Sequence, residues 1–300
     1  MRVHHLNCIS TCPLGGKLVD GSPETFIHRG HLTNHCLLLE TQNELILIDT
    51  GLGLRDVENA HSRLSGFFLS LLSPDFRKEM TAIQQIQRMG FNPKDVRHIV
   101  LTQLDFDHAG GLDDFPWAQV HLMHAERDSA YLQQTWLDRQ RYRPQQWGTK
   151  ANWSVYRPGE GDSWFGFGRV QQLENINLDI AMIPLIGHSL GHAGVAVKTS
   201  EKWLLHAGDA YFFRHEIDLE KSWCTQGLNV YQRMMEKDRQ SRIWNQQRLR
   251  DLRQDYSDQV EIFCAHDLDE FERISGRPAE VPGNKILGQN HILNSELLRL

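Results

Sequence analysis

Cysteine is scarce in this sequence, and no two cysteines form a C-x-x-C pair. The 300 residues contain an odd number of them, five: Cys8, Cys12, Cys36, Cys224 and Cys264. Disulfide frameworks use cysteines in pairs, and zinc knuckles use closely spaced C-x-x-C motifs. Neither scaffold is indicated, so the fold has to rely on a hydrophobic core, for which a hydrophobic content of 40% is sufficient.

Long apolar runs and an excess of basic charge are also missing. The longest apolar runs, residues 66–72 and 180–186, fall well short of the roughly 18 residues that span a bilayer, and the N-terminus lacks the apolar stretch of a signal peptide. With 32 basic and 38 acidic residues, the formal charge of -6 offers no general attraction for nucleic acid or anionic lipid. We therefore expect a soluble, cytoplasmic protein that binds neither nucleic acid nor membranes.

Predicted strands and helices alternate along the chain. Apolar segments predict strands at residues 35–40, 44–49, 97–102, 119–123, 179–183, 194–199, 202–206 and 260–265. Helical spacing of apolar residues predicts one helix over about 80–89 and a long basic helix around Arg239–Tyr256. We expect a single α/β domain over residues 1–300 with its core at about 31–275. An insertion at about 131–167 and a C-terminal tail at about 277–300 complete this organisation.

The insertion is rich in aromatic residues and in arginine. It holds four of the eight tryptophans: Trp136, Trp147, Trp153 and Trp164. These side chains either line an apolar pocket for an acyl chain or ring, or pack the insertion onto the domain. Three arginines lie among them: Arg139, Arg141 and Arg143. We interpret these arginines as a solvated charge cluster, with recognition of a substrate carboxylate as the alternative.

Histidine and aspartate recur at the ends of four predicted strands. The segments are Gln103–Gly111 (Q-L-D-F-D-H-A-G-G), Gly187–His192 (G-H-S-L-G-H), His206–Asp209 (H-A-G-D) and Cys264–Asp267 (C-A-H-D). A single Asp after a strand is commonly a turn or N-cap residue, but recurrence after four strands favours convergence on one pocket. Imidazole and carboxylate are suitable ligands for Zn, Mn and Fe, and a shared carboxylate can join two ions. The pattern predicts a metal centre.

In their order, these segments resemble the motifs of the metallo-β-lactamase superfamily. The family motif His-x-His-x-Asp-His corresponds to residues 103–108, and the G-H-x-x-G-H element, the bridging Asp and the final His follow. The resemblance runs from about residue 31 to 275 and implies a four-layer αββα sandwich with the metal site at one edge of the paired sheets. It implies these ligands for one or two divalent ions: Asp107, His108, His188, Asp209 and His266.

The resemblance also suggests roles for residues around the ligands. Asp209 would bridge the two metals, and Asp49, in the D-T-G turn, would shape the loop that carries the site, with a simple turn former as the alternative. His192, His206 and His124 match no ligand, and we interpret them as supporting or structural residues.

Two histidines of the family motif are missing, since Gln103 stands at the first position and Asp105 at the second. One family pocket is complete. The other keeps His188 and Asp209 but has to use Asp105 and, as a weak ligand, the amide oxygen of Gln103, so we expect the second metal to bind more weakly. An added carboxylate shifts the preference from Zn toward Mn or Fe. A non-catalytic metal-binding protein with a degenerate first site remains the alternative to an enzyme.

The resemblance implies a hydrolase that uses a metal-activated water, with Asp107 as the catalytic residue that moves the proton. The chain is most similar to the lactonase-like branch, through A-H-D-x-x-x-F at residues 265–271 and H-A-G-D-A-Y at residues 206–211. Some lactonases place a Tyr three positions after the bridging Asp, where this chain has Phe212, and the role of Tyr211 stays open. We expect a small-molecule substrate with a lactone or other ester-like bond, and a monomer or homodimer.

Overall fold

Two β-sheets face each other at the centre of the protein. The computed structural model describes residues 1–23, 27–148, 152–157, 162–173, 176 and 178–281, and within these ranges each sheet has six strands. The first sheet, in spatial order, contains β1 Arg2–Asn7, β2 His35–Glu40, β3 Leu45–Ile48, β4 Val96–Val100, β5 Gln119–Met123 and β6 Asn152–Tyr156. The second contains β7 Asp162–Trp164, β8 Phe167–Gln172, β9 Ile180–Pro184, β10 Ala193–Lys198, β11 Trp203–His206 and β12 Val260–Phe263.

Helices cover the outer faces and the connections. The α-helices are α1 Leu54–Glu58, α2 Ala60–Arg63, α3 Gly66–Leu72, α4 Ala82–Arg88, α5 His124–Leu132, α6 Trp136–Arg141, α7 Pro144–Trp147, α8 Gln226–Met235, α9 Arg239–Tyr256 and α10 Leu268–Ser275. Short 3₁₀ turns occupy Gly16–Leu18, Lys78–Met80, Pro93–Asp95, Leu112–Asp114 and Arg214–Ile217. In the part of the chain that the structure describes, no helix combines the length and apolar character that crossing a bilayer requires.

The apolar alternation along the strands builds four layers. Leu37 and Leu39 of β2 lie between the sheets, in one cluster with Val195 of β10, because successive side chains of a strand point to opposite faces. Leu38 points the other way, into a cluster with Ile86 of α4. Strands that are apolar on both faces belong in the middle of a layered domain.

The second sheet is covered in the same way. Ile183 of β9 and Leu205 of β11 pack with Leu249 and Leu252 of α9 on its outer face. The side chain of Asp238 caps α9 by accepting a hydrogen bond from the backbone N–H of residue 241 at 3.0 Å. The α/β class and the four-layer αββα sandwich expected from the sequence are confirmed.

Strand direction brings several loops to one edge of this sandwich. In the first sheet, β3, β4 and β5 are parallel. In the second, β11 and β12 are parallel, and β9 runs in the same direction because β10 is antiparallel to both β9 and β11. The carboxyl ends of parallel strands lie at the same edge, which is where sites form in sheets of this kind.

The tryptophans of the 131–167 segment do not converge on one pocket. Trp147 and Trp153 pack against the first sheet, Trp164 packs against the second, and Trp136 is 55% exposed. Packing is therefore the correct interpretation for three of the four. Residues 149–151 and 158–161 of the insertion and residues 282–300 of the tail lie outside the described residues, and the domain boundaries stay a prediction.

Candidate metal centre

The loops that follow β4, β9, β11 and β12 meet at the shared edge of the sandwich. They bring together all seven residues that the sequence singled out as ligands, every one of them buried: Gln103, Asp105, Asp107, His108, His188, Asp209 and His266. The ligand-type atoms form two neighbouring groups, each within 4.8 Å: one of Asp107, His108 and His266, the other of Asp105, His188 and Asp209.

Asp209 connects the first group to the second. Its Oδ1 atom lies 3.1 Å from Nε2 of His266 and 3.4 Å from Nε2 of His108. Oδ2 of Asp107 lies 3.9 Å from the same nitrogen of His266. Two imidazoles and two carboxylates therefore converge on one point, and we refer to these four residues as the intact pocket.

Hydrogen bonds to the Nδ1 atoms orient the two imidazoles of the intact pocket. Nδ1 of His108 donates to Oδ2 of Asp49 at 2.8 Å, and Nδ1 of His266 donates to the carbonyl oxygen of Thr33 at 2.7 Å. These partners accept hydrogen bonds, so the proton sits on Nδ1 and Nε2 presents a lone pair. Among the described residues, neither Nε2 of His108 nor Oδ1 of Asp209 has a hydrogen-bond partner. Buried polar atoms are rarely left so, and this donor set fits Zn, Mn or Fe.

The other half of the centre contains a cation supplied by the chain itself. Nε and Nη2 of Arg141 donate to the two carboxylate oxygens of Asp105, each at 2.6 Å. Nη1 of Arg141 donates to the carbonyl oxygens of Met235 at 2.9 Å and His188 at 3.3 Å. The arginine is 0% exposed, and Nε2 of His188 lies 3.0 Å from Oδ2 of Asp105. This bidentate pair is the strongest geometry available to a guanidinium and a carboxylate.

The expectation of a solvated arginine cluster is wrong for Arg141. Arg139 is exposed and Arg143 is half-buried, but Arg141 ends α6 inside the protein. The physical reason is Asp105, because the carboxylate that replaces a motif histidine provides the charge that a buried guanidinium requires. Three adjacent arginines with the same local pattern gave no signal to separate this one from its neighbours.

Gln103 lies against the carboxylate of Asp209. Its Nε2 atom donates to Oδ2 of Asp209 at 2.7 Å, and Nε2 of His188 lies 3.3 Å from the same oxygen. Oδ1 of Asp209 thus faces the intact pocket, whereas Oδ2 faces the half that contains Arg141. A single carboxylate links the two halves.

The three carboxylates of the centre experience different fields. Burial acts to raise the pKa of Asp105, but the charge of Arg141 outweighs it and holds that pKa well below the ordinary value. The pKa of Asp209 is also held well below its usual range, because His266 and the other two histidines outweigh burial. Burial raises the pKa of Asp107, and the guanidinium of Arg141 is paired with Asp105 instead. Asp107 is the carboxylate of the centre that accepts a proton most readily.

Glu126 connects the loops that follow β4 and β9 by hydrogen bonds, a role that the sequence analysis missed. Its carboxylate accepts hydrogen bonds from the backbone N–H of Leu104 at 3.0 Å, from the hydroxyl of Ser189 and from the backbone N–H of Gly191 at 3.3 Å. A Cβ atom at Gly191 would lie 2.0 Å from the backbone nitrogen of Glu126. Glycine is therefore required there for the loop to approach α5.

The three histidines that match no family ligand have other partners or positions. Nε2 of His192 accepts a hydrogen bond from the backbone N–H of Asp209 at 2.9 Å, which holds Asp209 in place. His206 donates from Nε2 to the carbonyl oxygen of His35 at 2.5 Å. His124 begins α5, where it is half-buried. These positions agree with supporting or structural roles.

Aromatic residues enclose the intact pocket on one side. The ring of Phe212 stacks on His266 with centroids 5.0 Å apart and contacts Tyr231 of α8 at 5.5 Å. Tyr211 points away from the centre, because its hydroxyl donates to the carboxylate of Glu270 at 3.0 Å. The role of Tyr211, which the sequence left open, is that of a packed aromatic residue.

Tyr231 connects the centre to an apolar groove. Its ring contacts Phe212, which stacks on His266, and burial with the charges of Asp107, Asp209 and Asp105 raises the pKa of its hydroxyl well above the ordinary value. The same residue lines a groove of about 520 Å³ between the N-terminal segment, α3 and α8. The groove exposes several apolar side chains: Leu14, Leu18, Leu71 and Val230.

The family model described as the metallo-β-lactamase superfamily matches residues 29–266 of this chain. The chain belongs to the metallo-β-lactamase superfamily. The assignment confirms the resemblance drawn from the four His/Asp segments, and it accounts for the sandwich and for the edge at which the ligand-type residues meet.

Relatives within the metallo-β-lactamase superfamily support a hydrolase of the lactonase-like branch. The chain is 35% identical over 272 residues to a probable metallo-hydrolase of Mycobacterium tuberculosis, covering 91% of this chain and 82% of the relative. It is 26% identical over 193 residues to an N-acyl homoserine lactonase of Bacillus thuringiensis subsp. kurstaki, covering 63% of this chain and 69% of the relative. A solved N-acyl homoserine lactone hydrolase with its product, N-hexanoyl-L-homoserine, at the catalytic metal centre shares the fold. That likeness has a TM-score of 0.66 at 21% identity and covers 90% of this chain and 95% of the other.

Proposed function

We propose that this protein is a metal-dependent hydrolase that cleaves a lactone or other ester-like bond in a small molecule with an apolar portion. The observation that carries the proposal is the intact pocket, in which Nε2 of His108 and Oδ1 of Asp209 are buried without a hydrogen-bond partner among the described residues. Such atoms, beside His266 and Asp107, fit a cation better than any neutral arrangement of the chain.

The residues of the intact pocket have different roles in the proposed hydrolysis. A divalent ion held by Asp107, His108, Asp209 and His266 would supply Lewis acidity and acidify a water molecule. Asp107 would accept a proton from the attacking water while the oxygen of the water forms the new bond to the ester carbon. It then donates the proton to the alkoxide oxygen that leaves when the ester C–O bond breaks, a role commonly worth about 10²–10⁴ in rate. His108 and Asp209 would hold the metal ion in the intact pocket.

The apolar groove supports the choice of substrate. Its volume of about 520 Å³ falls within the range of small-molecule sites, and its lining is mostly apolar. Leu14 and Val230, which are 66% and 69% exposed, line this groove together with Leu18 and Leu71, and contiguous apolar surface of this kind is typical of a binding site. Tyr231 lines the groove and contacts Phe212, which stacks on His266. A substrate placed at this wall therefore extends its apolar part along the groove with its ester group toward Asp107.

Zn, Mn and Fe all suit the donor set of the intact pocket. The argument for the harder ions Mn and Fe depends on Asp105 as a ligand, and that carboxylate is held by Arg141 on both oxygens. We therefore propose one of these three metals without a preference for the harder ions. The cytoplasmic location and the monomeric or homodimeric state stay predictions.

Metal analysis and a substrate screen test the proposal. The protein is purified without a chelator or a His tag, its metal is identified by elemental mass spectrometry, and γ-lactones and aryl esters of increasing acyl length are assayed. We expect hydrolysis that a chelator abolishes and the identified metal restores. His266→Ala should lose both metal and activity, whereas His124→Ala, outside the centre, should keep both. Bound metal without turnover of any lactone or ester would instead establish the non-catalytic alternative.

A further inference from the structure

In the half of the centre around Asp105, the carboxylate oxygens are already hydrogen-bonded to a cation of the chain. Both carboxylate oxygens of Asp105 accept hydrogen bonds from Arg141 at 2.6 Å. A buried carboxylate that is hydrogen-bonded in this way has to lose charged hydrogen bonds before it can bind a metal. In the intact pocket, His108 Nε2 and Asp209 Oδ1 have no hydrogen-bond partner among the described residues and lie 3.4 Å apart. In the other half, Oε1 of Gln103 and Nδ1 of His188 also lack a partner among these residues, but both oxygens of the Asp105 carboxylate are taken.

The guanidinium of Arg141 is fixed in this position by the surrounding chain. Its third nitrogen, Nη1, donates to the carbonyl oxygens of His188 and Met235, so all three guanidinium nitrogens have partners. The backbone also contributes, because the N–H of Phe106 donates to the carbonyl oxygen of Arg141 at 3.1 Å. An arginine does not lose its proton inside proteins. A permanent positive charge therefore sits in this half of the centre.

Charge balance then limits how many metal ions the centre accepts. Three carboxylates face it: Asp105, Asp107 and Asp209. Their three negative charges are balanced by one divalent ion together with the single charge of Arg141. A second divalent ion would have to lie beside the guanidinium of Arg141, and the repulsion between the two cations opposes its binding.

We propose that this centre holds one divalent ion, in the intact pocket, and that Arg141 serves as the cation of the other half. This inference rests on the proposed function, because it assumes that the intact pocket binds metal. Arg141 is then a positioning residue: it holds the carboxylate of Asp105 toward His188, and it takes the electrostatic place of a second metal.

Metal stoichiometry of the full-length protein is the first test. Metal-free protein is titrated with Mn²⁺, separated from excess ion by gel filtration, and analysed by elemental mass spectrometry. We expect saturation at one ion per chain, with the electron paramagnetic resonance signal of an isolated Mn²⁺. Two ions per chain with an exchange-coupled signal would overturn this inference and leave the proposed hydrolase standing. Absence of any bound ion would overturn both.

Variants of Arg141 and Gln103 test the cause. Gln103→His restores the missing motif imidazole but leaves Arg141 in place, so it should still bind one ion. Gln103→His combined with Arg141→Met removes the charge and frees Asp105, and should bind a second ion with an affinity at least tenfold higher than in Gln103→His alone. Persistence of one ion in the double variant under excess Mn²⁺ would contradict the assigned role of Arg141.

Two further substitutions serve as controls. Arg141→Lys keeps a positive charge at the same position and should remain at one ion per chain. Arg139→Met makes the matched charge removal two residues earlier, at an exposed position of the same helix, and should also leave the stoichiometry at one. If Arg141→Met prevents folding, the wild-type stoichiometry and the Mn²⁺ signal still decide between one ion and two.

Discussion

The carboxylate of Asp49 lies directly behind His108, with Oδ2 at 2.8 Å from Nδ1 of the imidazole. The same carboxylate accepts hydrogen bonds from the backbone N–H of Thr102 at 2.8 Å and from its hydroxyl at 2.7 Å. Asp49 has a φ of 53°, in the left-handed region that Asp and Asn adopt more readily than most residues. The turn residue of the D-T-G sequence therefore also determines which nitrogen of His108 faces the centre.

Replacement of Asp49 by Asn should weaken metal binding by about 10–100-fold, the usual cost of losing a carboxylate behind a metal-binding imidazole. The fold should survive, because Asn adopts the same backbone conformation. Affinity is measured by competition with a chromogenic chelator. Asp95→Asn, at an exposed turn before β4, is the matched control and should not change the affinity. Equal affinities for wild type and Asp49→Asn would show that the tautomer of His108 is fixed by something else.

Gly191 should tolerate no side chain. Alanine there places a Cβ atom 2.0 Å from the backbone nitrogen of Glu126, so the loop after β9 has to move away from α5. We expect Gly191→Ala to lower the free energy of unfolding by about 3 kcal/mol or more, at the upper end of the range for overpacking. The measurement is urea denaturation monitored by tryptophan fluorescence.

Gly168→Ala provides the control for that measurement, since a Cβ atom at Gly168 meets nothing within 4 Å. It should change the free energy of unfolding by less than about 1 kcal/mol. A similar small effect at Gly191 would mean that the contact between the loop and Glu126 relaxes without cost.

Much of this architecture was predictable because the relevant signals are local. The runs at 35–40 and 119–123 are apolar on both faces of the strand, and the structure has β2 and β5 at the same residues. The helix predicted at Arg239–Tyr256 has those bounds in the structure. Ligand-type residues were found because each follows a strand directly, so the chain order alone brings them to one edge.

Features that depend on distant partners were not predictable. The strand β1 carries two histidines, His4 and His5, and lacks the apolar pattern of a strand. It forms because its backbone pairs with β2. Glu126 has the local pattern of a solvated helix residue and becomes buried only because two loops donate to it. Arg141 pairs with Asp105 over 36 positions of sequence, and no periodicity encodes such a contact.

Glu270 should give the stability of the protein a pH dependence. Burial, with the nearby charge of Asp267, raises its pKa from about 4.5 to about 7 in the folded protein. Because the folded state holds this proton more tightly, the stabilisation is complete below about pH 4.5 and is lost as the pH rises through about 7. In Glu270→Gln this component is absent, so the wild type should lose on the order of 3 kcal/mol relative to the variant across that window.

Urea denaturation of both proteins at several pH values and at one fixed metal concentration measures this difference. Contributions from the metal centre cancel in the comparison, because both proteins carry the same ligands. Glu201→Gln, at an exposed glutamate, should follow the wild type at every pH. Parallel curves for wild type and Glu270→Gln would rule out a raised pKa at Glu270.

Val230 should affect the choice of substrate without affecting the metal. It is 69% exposed on α8 and lines the apolar groove, so Val230→Asp places a charge where the proposed substrate lays its apolar part. We expect kcat/KM for a long-chain ester to fall about tenfold, which corresponds to ~1.4 kcal/mol, while hydrolysis of an acetyl ester and the metal content stay unchanged. Ile243→Asp is the control, because Ile243 is 44% exposed on α9, away from the groove lining. An equal loss for long and short esters would place the substrate's apolar part elsewhere, since only a chain long enough to reach α8 can meet the new charge.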